Sequence, residues 1–138
     1  MTGSGAGGPA IVRGMWDRIN AEGRPAMLEL FAPGYRRHSG GATMSLEEFA
    51  EEVEERRRAF PDLATTVQDV IAEGERVVYR WETTGTQLHP YLGVPPTGRL
   101  VVARGITISR LQDGRIAEDW ASWDKASVLH ALGVIPLL

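Results

Sequence analysis

The chain has 138 residues, of which 43% are hydrophobic and 24% charged, and a formal net charge of −3 at pH 7. That length suits one domain around one core, and the slightly acidic balance gives neither nucleic acid nor an anionic membrane an electrostatic foothold. There is no cysteine, which excludes disulfides, thiolate nucleophiles, zinc–thiolate sites and iron–sulfur clusters.

Met1–Pro9 is rich in glycine and carries neither the positive nor the apolar segment of a signal peptide. It reads as a flexible lead into a single domain over 10–138, in a cytoplasmic protein. Ile11, Val12, Met15, Trp16 and Ile19 then recur at three- and four-residue steps, an amphipathic helix ended by Asn20-Ala-Glu-Gly23. Pro25 fits the first turn of a short second helix running through Met27, Leu28 and Leu30 to Phe31, with Pro33-Gly34 as its stop. Tyr35–Thr43 is polar and contains glycine, so it reads as a loop or a short extended arm. Ser45 and Glu48 form a capping box that opens a third helix. Leu46, Phe49, Ala50, Val53 and Phe60 mark its buried stripe, and the glutamates with Arg56–Arg58 mark its solvated side. Pro61 ends it.

From Leu63 the period becomes strand-like. Leu63–Ala72, Glu75–Gly85, Arg99–Leu111 and Ile116–Asp124 are rich in Val, Ile, Thr, Trp or Tyr and are separated by turn signals, of which Asp113-Gly114 is a strong hairpin mark. A last short helix, Lys125–Leu132, is closed by Gly133 and followed by Pro136. No apolar run approaches the roughly 20 residues that span a bilayer. Helices first and strands second predict an α+β fold: three N-terminal helices packed on a curved antiparallel or mixed sheet, a cone around an internal pocket. A concave, largely apolar space of that kind is the default seat of a small molecule.

The chemistry then falls to carboxylates. Alternation along the last strand puts Ile116, Glu118, Trp120, Ser122 and Asp124 on one face and Asp119, Ala121 and Trp123 on the other. If the first face is inward, Asp124 lies beside Trp120 in a low-dielectric pocket, where desolvation makes it a stronger base. The other reading makes Asp124 the cap of the final helix, and the two roles can coexist. Arg80, Glu82 and Arg104 suit an ion-pair cluster across the sheet; Arg104, if buried, would instead anchor a substrate oxygen. His38 and His89 fall in loops that would rim the pocket, and Tyr35, Trp81 and Trp120 are aromatic candidates for its wall. The three histidines stand at no metal-ligand spacing, so no metal is expected.

The strings Phe60-Pro61-Asp62-Leu63, Gly85-Thr86, Gly93-Val94-Pro95-Pro96-Thr97-Gly98-Arg99, Asp113-Gly114-Arg115-Ile116 and Trp120 with Asp124, followed by Leu132-Gly133, occur in the order seen in SnoaL-like polyketide cyclases. The resemblance runs from about Trp16 to Pro136 and implies the nuclear-transport-factor-2-like cone, commonly dimeric through its sheet. It also implies cofactor-free intramolecular aldol closure of an aromatic polyketide ester in antibiotic-type biosynthesis. In that chemistry an aspartate acts as acid and base, and Asp124 occupies its place in the W-x-x-x-D segment. Tyr35, His38, Trp81, His89, Arg104 and Trp120 are the expected contacts to a small hydrophobic or aromatic substrate, in a homodimer or higher homo-oligomer. Many members carry histidine straight after the Gly-Thr pair; here Gln87-Leu88-His89 follows, which implies an altered mouth. A hydroxylation component of polyketide tailoring and a non-catalytic binder of hydrophobic ligands are the alternatives.

Overall fold

The structure, a computed structural model, describes residues 7–134. Its elements run α1 (Gly7–Glu22), α2 (Arg24–Leu30), β1 (Phe31–Ser39), β2 (Ala42–Ser45), α3 (Leu46–Ala59), β3 (Ala64–Glu73), β4 (Arg76–Thr86), β5 (Leu100–Gln112), β6 (Arg115–Trp123) and α4 (Lys125–Ala131). The α+β class and the three N-terminal helices are as expected, and the sheet is larger than expected. Six strands lie in the order β2-β1-β6-β5-β4-β3, antiparallel except for the parallel pair β1 and β6.

Two corrections concern the first 45 residues. Gly7–Pro9, read as part of a flexible lead, belong to α1, and Gly8 is buried where an added Cβ would stand 2.7 Å from Val77 Cγ2; residues 1–6 and Pro136 lie outside the described residues. Tyr35–Thr43 is not a loop but most of the β1–β2 hairpin. Pro33 and Gly34 hide β1 because they stand where β2 does not reach: β2 pairs only with Arg36–Ser39, and the ladder to β6 is irregular between Phe31 and Arg36. A proline without its N–H is tolerated at such an open edge. Gly40 and Gly41 both take positive φ, 61° and 81°, the geometry a tight two-residue hairpin requires.

The local signals elsewhere behave as read. Ser45 Oγ accepts from the Glu48 amide at 3.2 Å while Glu48 returns a carboxylate to the Ser45 amide at 2.9 Å. Asp113 and Gly114, at φ 53° and 75°, turn β5 into β6. α1 and α3 cover one face of the sheet. Val12, Met15, Phe31, Phe49, Val77 and Ile116 meet there, all at 2% exposure or less. Burial of side chains of this size contributes about 1.5–3 kcal/mol each. A second, smaller cluster of Ala59, Phe60, Val101, Val128 and Leu132 seats α4 at one end.

Candidate active site

The strand register assembles the polar centre. Parallel pairing sets Arg37 of β1 beside Asp119 of β6, and antiparallel pairing sets Ser109 of β5 opposite Asp119. All three side chains therefore share the helix-covered face. Asp119 is 2% exposed and is the one buried carboxylate among the described residues. It accepts from Tyr35 Oη at 2.6 Å and from Ser109 Oγ at 2.5 Å, and Arg37 Nη1 stands 3.8 Å from its Oδ2. Desolvation pushes its pKa up, against the opposing pull of Arg37 and the two hydroxyls. The phenol of Tyr35 is raised too, first by burial and then by the Asp119 charge, and Tyr79 follows the same pattern. Trp16 Nε1 donates to Tyr79 Oη at 3.0 Å and Trp81 Nε1 to Thr107 Oγ1 at 2.9 Å. No buried side-chain nitrogen or oxygen among the described residues lacks a partner, so the polar groups are held in place before any ligand arrives.

Above this layer lies a cavity in two lobes. One, of about 80 Å³, is walled by Phe60, Tyr91, Val101, Ala103, Trp123 and Val128. The other, of about 60 Å³, is walled by Trp16, Ile19, Phe49, Val53, Thr65 and Thr107. Arg37, Arg56, Leu63, Trp81 and Thr83 line both. On the measure by which one water needs about 10–15 Å³, each lobe takes several. Arg37 is the cavity-facing member of the polar centre, and Asp119 lies behind it.

The expected site residues divide between the two sides of the sheet. Tyr35 and Trp81 are inside, Trp81 as cavity wall and Tyr35 as the hydroxyl on Asp119. Four others need correction. Trp120 is on the outer face, stacked on His38 with centroids 5.5 Å apart and with Arg76 5.0 Å from its ring. His38 itself is held by Glu118 at 2.7 Å and Thr43 at 3.1 Å. Arg104 is exposed and pairs with Glu82 at 2.9 Å, in the surface cluster that was the alternative for it. His89 is exposed beside the turn of the β4–β5 connection.

Asp124 is not in a low-dielectric pocket either. It is exposed and caps α4, accepting from the Ser127 amide at 3.0 Å and the Ser127 hydroxyl at 2.6 Å. Those bonds hold its pKa below the usual carboxylate range, the opposite of what desolvation would do. The physical reason is parity: the Glu118, Trp120, Ser122 face is the outward one. The inward set is Asp119, Ala121 and Trp123, and the register shift beside Leu111 brings Ile116 to the same side. A signal for this was present, since the outward face carries the polar Glu118 and Ser122 and the inward face small or aromatic residues around a single acid. Arg37 was missed because its segment read as a loop or extended arm, and Arg56 because it sits in a charge run that read as a solvated helix face.

Among the described residues there is no group of three or more potential metal ligands and no helix long and apolar enough to cross a membrane.

Comparison with known proteins agrees with this architecture. The profile of the family described as SnoaL-like polyketide cyclase matches residues 10–132. No curated protein sequence matches the chain. Among solved structures, AclR of Streptomyces galilaeus, a candidate hydroxylase, is 28% identical over 96% of this chain and 100% of its own, with a TM-score of 0.89. IdmH of Streptomyces antibioticus, a candidate polyketide cyclase, is 30% identical over 91% of this chain and 98% of its own, with a TM-score of 0.81. A protein of Catenulispora acidiphila described as having a ketosteroid isomerase-like fold is 20% identical over 92% of this chain and 95% of its own, TM-score 0.74, which speaks to the fold alone.

Proposed function

Because the chain belongs to the SnoaL-like polyketide cyclase family, we propose that it closes a ring in a polyketide intermediate by cofactor-free intramolecular aldol condensation, with Asp119 as the proton-transfer group. The observation that carries this reading is the buried Asp119, with Arg37 between it and the cavity. A substrate carbonyl oxygen takes its place on the Arg37 guanidinium, drawing that side chain off its long 3.8 Å contact with Asp119. The freed carboxylate removes a proton from the adjacent carbon. The enolate charge develops against Arg37, in a site where a fixed donor is worth more than in water. The carbanion forms the new carbon–carbon bond to a second carbonyl, and Asp119 returns the proton to the resulting alkoxide. No oxidant or reductant enters the balance. Raised basicity suits Asp119 to a carbon acid, and such general base work is worth about 10²–10⁴ in rate.

The test is a pair of single variants. Asp119→Asn is expected to lower turnover by about 10²–10⁴ while the circular dichroism spectrum and ligand binding persist. Asp124→Asn is expected to leave the rate within a few-fold. A second reading keeps Asp124 as the base, and what favours it is that its neighbours Trp123 and Val128 line the larger lobe, although Asp124 itself does not. The reverse pattern in the two variants would transfer the role to it. The likeness to AclR favours a hydroxylation component instead. Product formation by the protein alone without oxygen excludes that, and a ligand recovered unchanged would leave only a binding role.

The same reading has the protein acting as a cytoplasmic homodimer or higher homo-oligomer. Ile106, at 50% exposure, with Ile108 and Trp120 gives the outer sheet face an apolar patch that supports it.

A further inference from the structure

The charges of the cavity wall are one-sided. The residues lining the two lobes include Arg37, Arg56 and Arg57 and not one aspartate or glutamate. The counter-charges all lie behind the wall: Asp119 beneath Arg37, Glu52 beside Arg56 and Glu54 beside Arg57. Arg57 is further committed to the backbone, donating to the Ile19 and Asn20 carbonyls at 3.0 and 2.9 Å. Arg56 is not. It lines both lobes and is half-buried. Its remaining contacts are exchangeable ones, a 3.3 Å bond to the Tyr91 hydroxyl and a guanidinium position 5.8 Å from the Trp123 ring. In walls otherwise dominated by apolar and aromatic side chains, an arginine pair facing inward attracts an anionic oxygen with little competition from water.

We propose that the substrate carries an ionised oxygen, a carboxylate or an acidic phenol, at the waist between the lobes, and that Arg56 is the residue that selects it over a neutral ester. This rests on the cavity being the substrate site. The ring body fills the lobe walled by Phe60, Tyr91 and Trp123, and the anion takes the Nε donor that Tyr91 relinquishes, beside the Nη2 that Glu52 holds. Fork-shaped guanidinium and carboxylate match in two bonds at once, which a neutral ester cannot reproduce. Arg56 acts here as a specificity residue and not in proton transfer.

Calorimetric titration at pH 7.5 with 2-naphthoate and with methyl 2-naphthoate, which share one ring body, tests the charge preference. The acid is expected to bind at least about tenfold more tightly than the ester, a difference of about 1.4 kcal/mol. Arg56→Gln, at a position exposed enough to tolerate change, is expected to bring the two within about twofold by weakening the acid alone. Equal binding of acid and ester by the wild-type protein overturns the proposal while leaving the cavity as the site. An undiminished preference in Arg56→Gln overturns the role of Arg56, and Arg37→Lys then shows whether the other arginine holds the anion. Failure of both ligands to bind overturns the cavity reading itself.

Discussion

At the residue scale, the difference between Asp119 and Asp124 is a matter of five positions and of everything electrostatic. One carboxylate is wrapped by Tyr35, Ser109 and Arg37 in the interior, the other by the start of a helix in water. Their pKa displacements run in opposite directions, and so do their effects on stability. The raised pKa of Asp119 means that the folded state keeps its proton longer than the unfolded chain does. Its contribution is therefore greatest at low pH and declines as pH rises from the ordinary carboxylate range to the raised value, after which it is level. Urea midpoints measured at several pH values should show Asp119→Asn gaining on the wild type across that window, whatever the constant offset between them. The lowered pKa of Asp124 has the reverse sign, so its cap is in force above the ordinary range and fails as pH falls through the depressed value. Asp124→Ala should lower the melting temperature at pH 7, and the gap should close in acid. Alternation assigned the two acids to opposite faces of one strand, whereas Asp124 lies just past β6 as the cap of α4. It did not say which face was covered, because that depends on what packs above the sheet.

At the element scale, the sheet holds its cavity wall by leaving one position empty. Gly105 lies opposite Trp81 on β4 and Trp123 on β6, and a Cβ there would stand 2.5 Å from Trp81 Cζ2 and 2.6 Å from Trp123 Cβ. The indole of Trp81 lies where a side chain would otherwise be. Gly105→Ala is expected to cost about 1–3 kcal/mol as overpacking and to shift tryptophan emission as both rings move. A wild-type emission spectrum would contradict that account. The helices, the capping box and the four long strands were legible because their patterns are local. The β1–β2 hairpin was not: Phe31–Ser39 contains Pro, Gly, two Arg and His, and it is a strand only because β6 and β2 offer it ladders. Tertiary pairing overrides a weak local preference in such a segment.

At the scale of the whole molecule, the fold class was legible and so, through the ordered motif strings, was the family. The site was only partly so. Two of its expected members, Tyr35 and Trp81, are inside, while His38, Arg104 and Trp120 decorate the outer face. That outer face has its own test. Light scattering after size exclusion should give a dimer mass for the wild type and a monomer mass for Ile106→Glu; a monomeric wild type would remove the sheet face as a meeting surface.

The strand order has one more consequence. β6, the last in chain order of the described strands, is seated between β1 and β5 in the middle of the sheet. Until it arrives, neither Arg37 nor Ser109 has Asp119 beside it, and β1 has only a four-residue neighbour. The nascent chain must therefore hold its first third in waiting, and such distant pairings are the slow kind. Completion of the sheet and of the buried polar cluster come in the same event, so a product cut short before β6 would lack Asp119 and a central strand together.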